Sequence, residues 1–308
     1  REYTINGDAV NLAARLMQAI TAANISTHAG EAIQIICDAS TYEGAKSRVD
    51  FISLNPIEIR GKAQPVLAFV PQARHAKGKG QIALTDMIGR EEERFALAEG
   101  LRALITKESR VIIIEGEAGF GKSRLVEELY RQADAMNVNI LLGLGEAIEQ
   151  STPYHVWKDI TQKIFNLDEQ ESTAEQKLAF EKMVNEDNDL RDRAPLLSAV
   201  LPFLVPDNES TKNIIGDARA NSMHQMIIER LAQTAARTPT TLVIEDVHWL
   251  DSGSWALLTL AAQRITPLLI VITARPMGVL APMEFKQMLE MATTRFLSLS
   301  ALNNLDIE

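Results

Sequence analysis

The run Val111-Ile112-Ile113-Ile114, followed by Gly116-Glu117-Ala118-Gly119-Phe120-Gly121-Lys122-Ser123, restricts this chain more than any other stretch of it. Consecutive β-branched residues read as a strand buried on both faces. Residues 116–123 then match the spacing G-x-x-x-x-G-K-[ST] at every fixed position, and Leu125, Val126 and Leu129 open an amphipathic helix. Strand, glycine loop and helix in that order make a cradle for phosphate. Gly116, Gly119 and Gly121 let the backbone bend around an anion, the loop amides point inward, and the helix N-terminus adds partial positive charge. Lys122 is expected to reach the outer phosphates, and the Ser123 hydroxyl to ligate Mg2+.

Thr241-Leu242-Val243-Ile244-Glu245-Asp246 repeats the pattern with a different ending, an apolar run that closes on two carboxylates. Downstream of a phosphate loop, such a strand end is where Mg2+ is held and an attacking water oriented. Glu245 stands first and Asp246 second, and the division of labour between them stays open. Acids at strand ends also occur merely as solvated turn residues. His248 has no His or Cys partner at ligand spacing and is not expected to bind metal. A further buried strand, Leu268 to Thr273, leads into Thr273-Ala274-Arg275-Pro276.

A chain of 308 residues suggests about two domains, and a hydrophobic fraction of 46% is that of a globular protein with a sizeable core. The net charge of −10 is uneven: residues 1–80 hold nine Lys/Arg against seven Asp/Glu, and the remainder 22 against 34. Neither part has the basic excess of a nucleic-acid binder. The single cysteine, Cys37, excludes an internal disulfide, fits a reducing compartment and reads as a small buried hydrophobe. No stretch reaches 18 uninterrupted apolar residues, so no membrane-spanning helix is expected. With no signal peptide pattern and Arg1 rather than Met in first place, the expectation is a soluble, cytoplasmic piece of a longer protein.

In the first segment, Tyr3-Thr4-Ile5 reads as the end of a strand, Gly7 as a turn and Asp8 as the N-cap of a helix to about Ala23. Val10, Leu12, Ala13, Leu16, Met17 and Ile20 cover one apolar face, while Asn11 and Arg15 share a polar stripe one turn apart. On spacing alone that stripe is a solvated face. Strand-like pieces follow at Ile33–Cys37, Val49–Leu54, Ile57–Ile59 and Val66–Val70, with a short helix from Asp38 to Lys46. Pro71 to Lys79 reads as a polar joint. The domains are expected at residues 1–73 and 85–308, with 74–84 as linker. Within the second, a helix through Arg94, Leu97 and Leu101 precedes the glycine loop, and Ile140–Gly143 is a second strand. A mainly helical region follows from Ser151, polar and acidic over 168–193 and apolar from Pro195 to Val205, before a helix over 217–236.

The wording of the first segment, Tyr3-Thr4-Ile5-Asn6-Gly7-Asp8-Ala9-Val10-Asn11-Leu12-Ala13-Ala14-Arg15-Leu16, resembles the second half of a class III nucleotide cyclase catalytic domain. Leu54-Asn55-Pro56-Ile57-Glu58-Ile59-Arg60-Gly61-Lys62 resembles its closing strands, so the likeness covers nearly all of residues 1–72. The resemblance implies that Asn11 orients the ribose, that Arg15 neutralises charge developing on the phosphates, and that Thr4 helps choose adenine. A planar, permanently charged fork suits that task. A threonine hydroxyl both donates and accepts, so Thr4 alone does not decide adenine against guanine. In that family two metal-binding aspartates and a base-reading lysine lie upstream of the position of Arg1. The 308-residue chain alone is therefore expected to be cyclase-inactive, and to need a second cyclase domain or subunit to complete the site.

In the second segment, Glu245-Asp246-Val247-His248-Trp249-Leu250-Asp251, together with Ile88-Gly89-Arg90-Glu91 ahead of the glycine loop, resembles the signal-transduction ATPases with numerous domains (STAND) and related AAA-like ATPases. That resemblance implies that residues near Arg90 help enclose adenine and that Arg275 senses the γ-phosphate; a surface arginine before proline is the equal alternative. The expected fold class is α/β: the end of an α+β cyclase domain with a ferredoxin-like core, then a P-loop NTPase with a mainly parallel sheet flanked by helices. The expected activity is that of a signalling adenylate cyclase, turning ATP into cyclic AMP and pyrophosphate, with an ATP·Mg2+-binding module that hydrolyses slowly. An ATP-dependent signalling or transcription switch with a decayed cyclase scaffold, and a guanylate cyclase, are the competing readings.

Overall fold

The computed structural model describes residues 12–13, 15–16, 35–46, 49–54, 56–57, 65–74, 87, 89–167 and 172–301. The chain forms two compact units, Arg1–Thr85 and Asp86–Glu308. Thr4 and Asn11 lie outside the described residues.

The described part of the first unit is a small antiparallel sheet. Strand β1 (Cys37–Asp38) and strand β2 (Val49–Ser53) flank β3 (Ala68–Arg74). Helix α1 (Ala39–Ala45) starts where the Asp38 carboxylate accepts the Thr41 N–H at 2.9 Å. Its Tyr42 ring stacks on Phe69 with centroids 4.2 Å apart. Strand β3 runs through Pro71, where the sequence reads as a joint. Proline fits because β1 pairs only with Ala68 and Phe69, and because the ladder to β2 shifts register between Asp50 and Phe51, beside Pro71. Leu12, Ala13, Arg15 and Leu16 are helical; Leu16 is buried with Ala68, and Arg15 is exposed. Cys37 is half-buried, and burial pushes its thiol pKa up.

The second unit is built on five parallel strands, β4 (Arg110–Gly116), β5 (Asn139–Leu144), β6 (Thr240–Glu245), β7 (Leu269–Ala274) and β8 (Thr294–Leu299). Their spatial order is β5-β6-β7-β4-β8. Strands β6 and β7 are buried at every residue, which explains the unbroken apolar runs: both faces are covered. Side chains alternate between two cores. Val111, Ile113, Leu242, Ile244, Ile270 and Ile272 join one; Ile112, Ile114, Val243, Leu269 and Val271 join the other.

Helices α2 (Glu91–Ile105) and α3 (Lys122–Ala135) cover the second of these faces. The first is covered by α4 (His155–Ile164), α7 (Gly216–Arg237) and α8 (Ser252–Arg264), with the 3-10 turn Ala194–Ala199 packed among them. Between these, α5 (Thr173–Glu186) and α6 (Asn188–Arg193) are largely exposed apart from Gln176 and Phe180. Helix α9 (Met283–Glu290) leads into β8. Among the described residues no helix is long and apolar enough to cross a membrane.

Glu128 ties the two helices of the second face together. It is 8% exposed and accepts from Arg131 at 2.7 and 2.9 Å, from Gln132 at 2.8 Å and from Arg94 of α2 at 3.4 Å. The Arg131 hydrogen bonds above all hold its carboxyl at about 2, against an ordinary value of 4.5. A depressed acid adds stability that is complete above the unfolded value and lost as pH falls through the folded one. Glu128→Gln should therefore cost about 2 kcal/mol at pH 7. That is below the full linkage value of about 3 kcal/mol, because Arg131 is half exposed and screened. Urea denaturation of both proteins should show the gap closing between pH 4.5 and about 2. A gap independent of pH would mean that charge is not what Glu128 contributes.

Candidate functional site

Parallel strands deliver all their C-terminal ends to one edge of the sheet, and ligands of open α/β sheets bind outside that edge. Here the edge carries the glycine loop after β4, Glu245 and Asp246 after β6, and Arg275 after β7. Strand β7 is hydrogen-bonded to both β4 and β6, so its tip lies between the lysine loop and the carboxylates.

The loop has the backbone its glycines allow. Gly119 and Gly121 adopt φ of 87° and 90°, and a Cβ on either would meet nothing within 4 Å. Backbone conformation rather than crowding demands glycine there. Gly121 is the N-cap of α3, and the Leu125 N–H donates to its carbonyl at 3.0 Å. Lys122 folds over its own loop, its ammonium donating to the carbonyls of Gly116 at 2.6 Å and Glu117 at 3.0 Å. Ser123 follows in the first turn with its side chain exposed.

Opposite the loop, Glu245 is buried (6% exposed) while the Asp246 side chain is 47% exposed. Asp246 takes φ of 54°, its N–H donates to Thr273 Oγ1 of β7 at 2.9 Å, and its carbonyl accepts the Trp249 N–H at 3.0 Å. Gly145, just beyond β5, donates to the Glu245 carbonyl at 2.8 Å, and a Cβ at Gly145 would stand 2.3 Å from the Asp246 carbonyl oxygen. Three strands thus fix the backbone that presents the two acids. Tyr130 of α3 feels the charge of the first of them. Its hydroxyl is buried without a hydrogen bond; burial pushes its pKa up, and the charge of Glu245 pushes it further.

His248 lies on the 3-10 turn Val247–Trp249 that follows Asp246. Burial, first, lowers its pKa; the Asp246 carboxylate opposes this, and the charges of Arg275 and Lys122 add to it. Asp246 stands 3.9 Å from His248 Nδ1, whereas Lys122 and Arg275, 153 positions apart in the sequence, bear on the ring through their charge alone. Ser123 and the two carboxylates are hard oxygen donors of the kind Mg2+ takes alongside nucleotide phosphates, so the residues present fit that ion. Among the described residues no group of three or more His, Cys, Asp or Glu makes a protein-only cage.

The remaining acid of the run, Asp251, is structural. It caps α8, accepting from Ser254 N at 3.0 Å and Ser254 Oγ at 2.5 Å, and it takes the Tyr154 N–H at 3.1 Å. The Tyr154 hydroxyl in turn meets His224 Nε2 at 3.0 Å. Arg90 also does local work: it pairs with Glu93 at 3.1 Å and donates to the Ser300 carbonyl, tying the start of α2 to the end of β8. Sequence reasoning missed Tyr130 and the α9–β8 unit. The alternation in Phe296-Leu297-Ser298-Leu299 is the one signal of a strand there.

Comparison with known proteins gives the same outline. The sequence profile of the AAA ATPase domain matches residues 86–272. An uncharacterized protein of Rhizobium meliloti (strain 1021) is 27% identical over 285 residues, 88% of this chain and 26% of its own length. Adenylate cyclase type 10 of Oryctolagus cuniculus is 20% identical over 317 residues, covering 99% of this chain and 19% of the cyclase. The chain thus spans about a quarter or less of these relatives. A STAND protein with a tetratricopeptide repeat sensor from Pyrococcus horikoshii aligns at 15% identity over 72% of this chain and 24% of that one. Its TM-score of 0.36 is too low to carry a shared fold, so the fold rests on the strand order itself.

Proposed function

The chain belongs to the AAA ATPase domain family, and from that premise we propose that its second unit binds ATP with Mg2+ and hydrolyses it slowly as a switch within a larger signalling protein. The observation that carries this reading is a complete phosphate loop at the end of β4, with Asp246 and Arg275 following β6 and β7 at the same edge of the parallel sheet. The loop amides and the Lys122 ammonium bind the outer phosphates, Lys122 exchanging its backbone carbonyls for phosphate oxygens. Glu245, buried at the strand end, holds Mg2+ together with Ser123; Asp246, more exposed and among the cations, orients the attacking water. When bound, the ion neutralises phosphate charge. Arg275 at the β7 tip meets the charge that moves onto the leaving oxygen.

Lys122→Ala tests the site directly. Loss of a charge-assisted phosphate contact should cost about 2–3 kcal/mol, a roughly 30- to 150-fold weaker ATP affinity by isothermal titration. Equal affinities in the two proteins would remove the nucleotide from this loop.

For the first unit, we read residues 1–73 as the end of an adenylate cyclase catalytic domain, with Thr4, Asn11 and Arg15 in its site. Support comes from the wording of that helix and from the alignment to adenylate cyclase type 10 over 99% of this chain. Arg15 holds an exposed helical position beside buried Leu16.

A further inference from the structure

Both ring nitrogens of His248 are buried and neither makes a hydrogen bond. A buried polar group without a partner is destabilising, so one that sits among functional side chains calls for an explanation. The ring lies on the 3-10 turn Val247–Trp249, tilted against Trp249 with centroids 4.9 Å apart. The Asp246 carboxylate is 3.9 Å from its Nδ1, beyond hydrogen-bond reach. The charges of Lys122 and Arg275 also act on the ring, but both groups are donors only and cannot give it an acceptor. Both of them are suited to phosphate oxygens.

We propose that His248 reads the terminal phosphate of the bound nucleotide, one ring N–H donating to an oxygen of that phosphate between Lys122 and Arg275. This rests on the ATPase reading of the site and adds to it a residue that separates triphosphate from diphosphate. The side chain is a positioning and recognition group, not an acid or base. Its turn begins at Asp246, so a hydrogen bond to the terminal phosphate holds the water-orienting carboxylate in register. Loss of that phosphate returns the ring to its unpartnered state, which gives the turn a reason to move between the two nucleotide states.

The test uses wild type, His248→Phe and His248→Asn, each titrated with a non-hydrolysable ATP analogue and with ADP, with thermal unfolding measured without nucleotide. His248→Phe keeps an aromatic ring of similar size and removes both unsatisfied atoms. It should weaken the triphosphate about 10- to 100-fold, leave ADP affinity within about twofold, and leave the melting temperature unchanged or raised. His248→Asn, smaller and still a donor, should keep part of the preference for triphosphate; it also covers the case in which the phenyl ring does not fit. A merely structural histidine predicts the reverse: a lower melting temperature in both variants with the wild-type ratio of ATP to ADP affinity. That result would overturn the proposal while leaving the ATPase reading intact. Wild type that binds neither nucleotide would overturn both.

Discussion

Asp246→Asn should lower kcat for ATP hydrolysis by about 10²–10⁴-fold, the range for losing a positioned acid–base group, while ATP affinity changes little. The substitution keeps shape and removes charge. It should also keep the fold: asparagine tolerates the left-handed backbone that Asp246 adopts, and the bond from the residue 246 N–H to Thr273 Oγ1 is independent of the side chain. With the Asp246 side chain 47% exposed, a stability cost below about 0.5 kcal/mol is expected. Glu245→Gln gives the contrast. Its carboxylate is buried at the end of β6, and as the Mg2+-holding acid its loss should raise the Mg2+ concentration needed for half-maximal hydrolysis as well as lowering kcat. Steady-state hydrolysis across a Mg2+ series, with fluorescent-nucleotide binding for each protein, separates the two. If Asp246→Asn alone shifts the Mg2+ dependence, the two roles are exchanged. If neither variant changes kcat, the strand-end acids are solvated turn residues and the site lies elsewhere.

On the proposed cyclase reading of residues 1–73, Arg15→Ala in a protein that carries the whole cyclase domain should reduce cyclic AMP production by roughly 10²–10³-fold in kcat with a much smaller change in KM, because such a contact tightens mainly as charge develops in the transition state. The helix itself should survive. Leu16 is buried and Leu12 packs beside it, so an apolar face holds the helix in place. Arg15→Lys should restore only part of the rate, since an ammonium keeps the charge without the planar fork. ATP binding at the loop of the second unit should be the same in all three proteins. An unchanged kcat in Arg15→Ala would return the polar stripe to a solvated face and leave the glycine loop as the functional centre of this chain.

Much of the site was legible in the sequence because its chemistry is local. A phosphate loop needs a strand, glycines in the left-handed region and a helix start within a dozen residues, and Val111 to Leu125 contains all of them in order. The same holds for Glu245 and Asp246, which end an apolar run long enough to be a buried strand. Helices α2, α3 and α7 follow from apolar periodicity, and the short helix expected from Asp38 to Lys46 is α1. Pro71 misled because a proline's tolerance in a strand depends on which neighbours it pairs with, and only the register with β2, and the short reach of β1, show that.

The order of strands was decided by the tertiary structure alone. Nothing near Arg275 states that β7 will lie between β4 and β6, or that β8 will close the far side of β4, because parallel neighbours are chosen by how their crossover helices pack on the two faces of the sheet. That choice brings the ends of β4, β6 and β7, and with them Lys122, Asp246 and Arg275, to one edge of the sheet. It also assigns Asp251 to a helix cap, although its spacing from Glu245 and Asp246 matches theirs to the motif, because α8 starts there and takes its carboxylate first. Chemistry carried by contiguous residues was set by the sequence; chemistry that needs residues from different strands waited on the packing that brings those strands together.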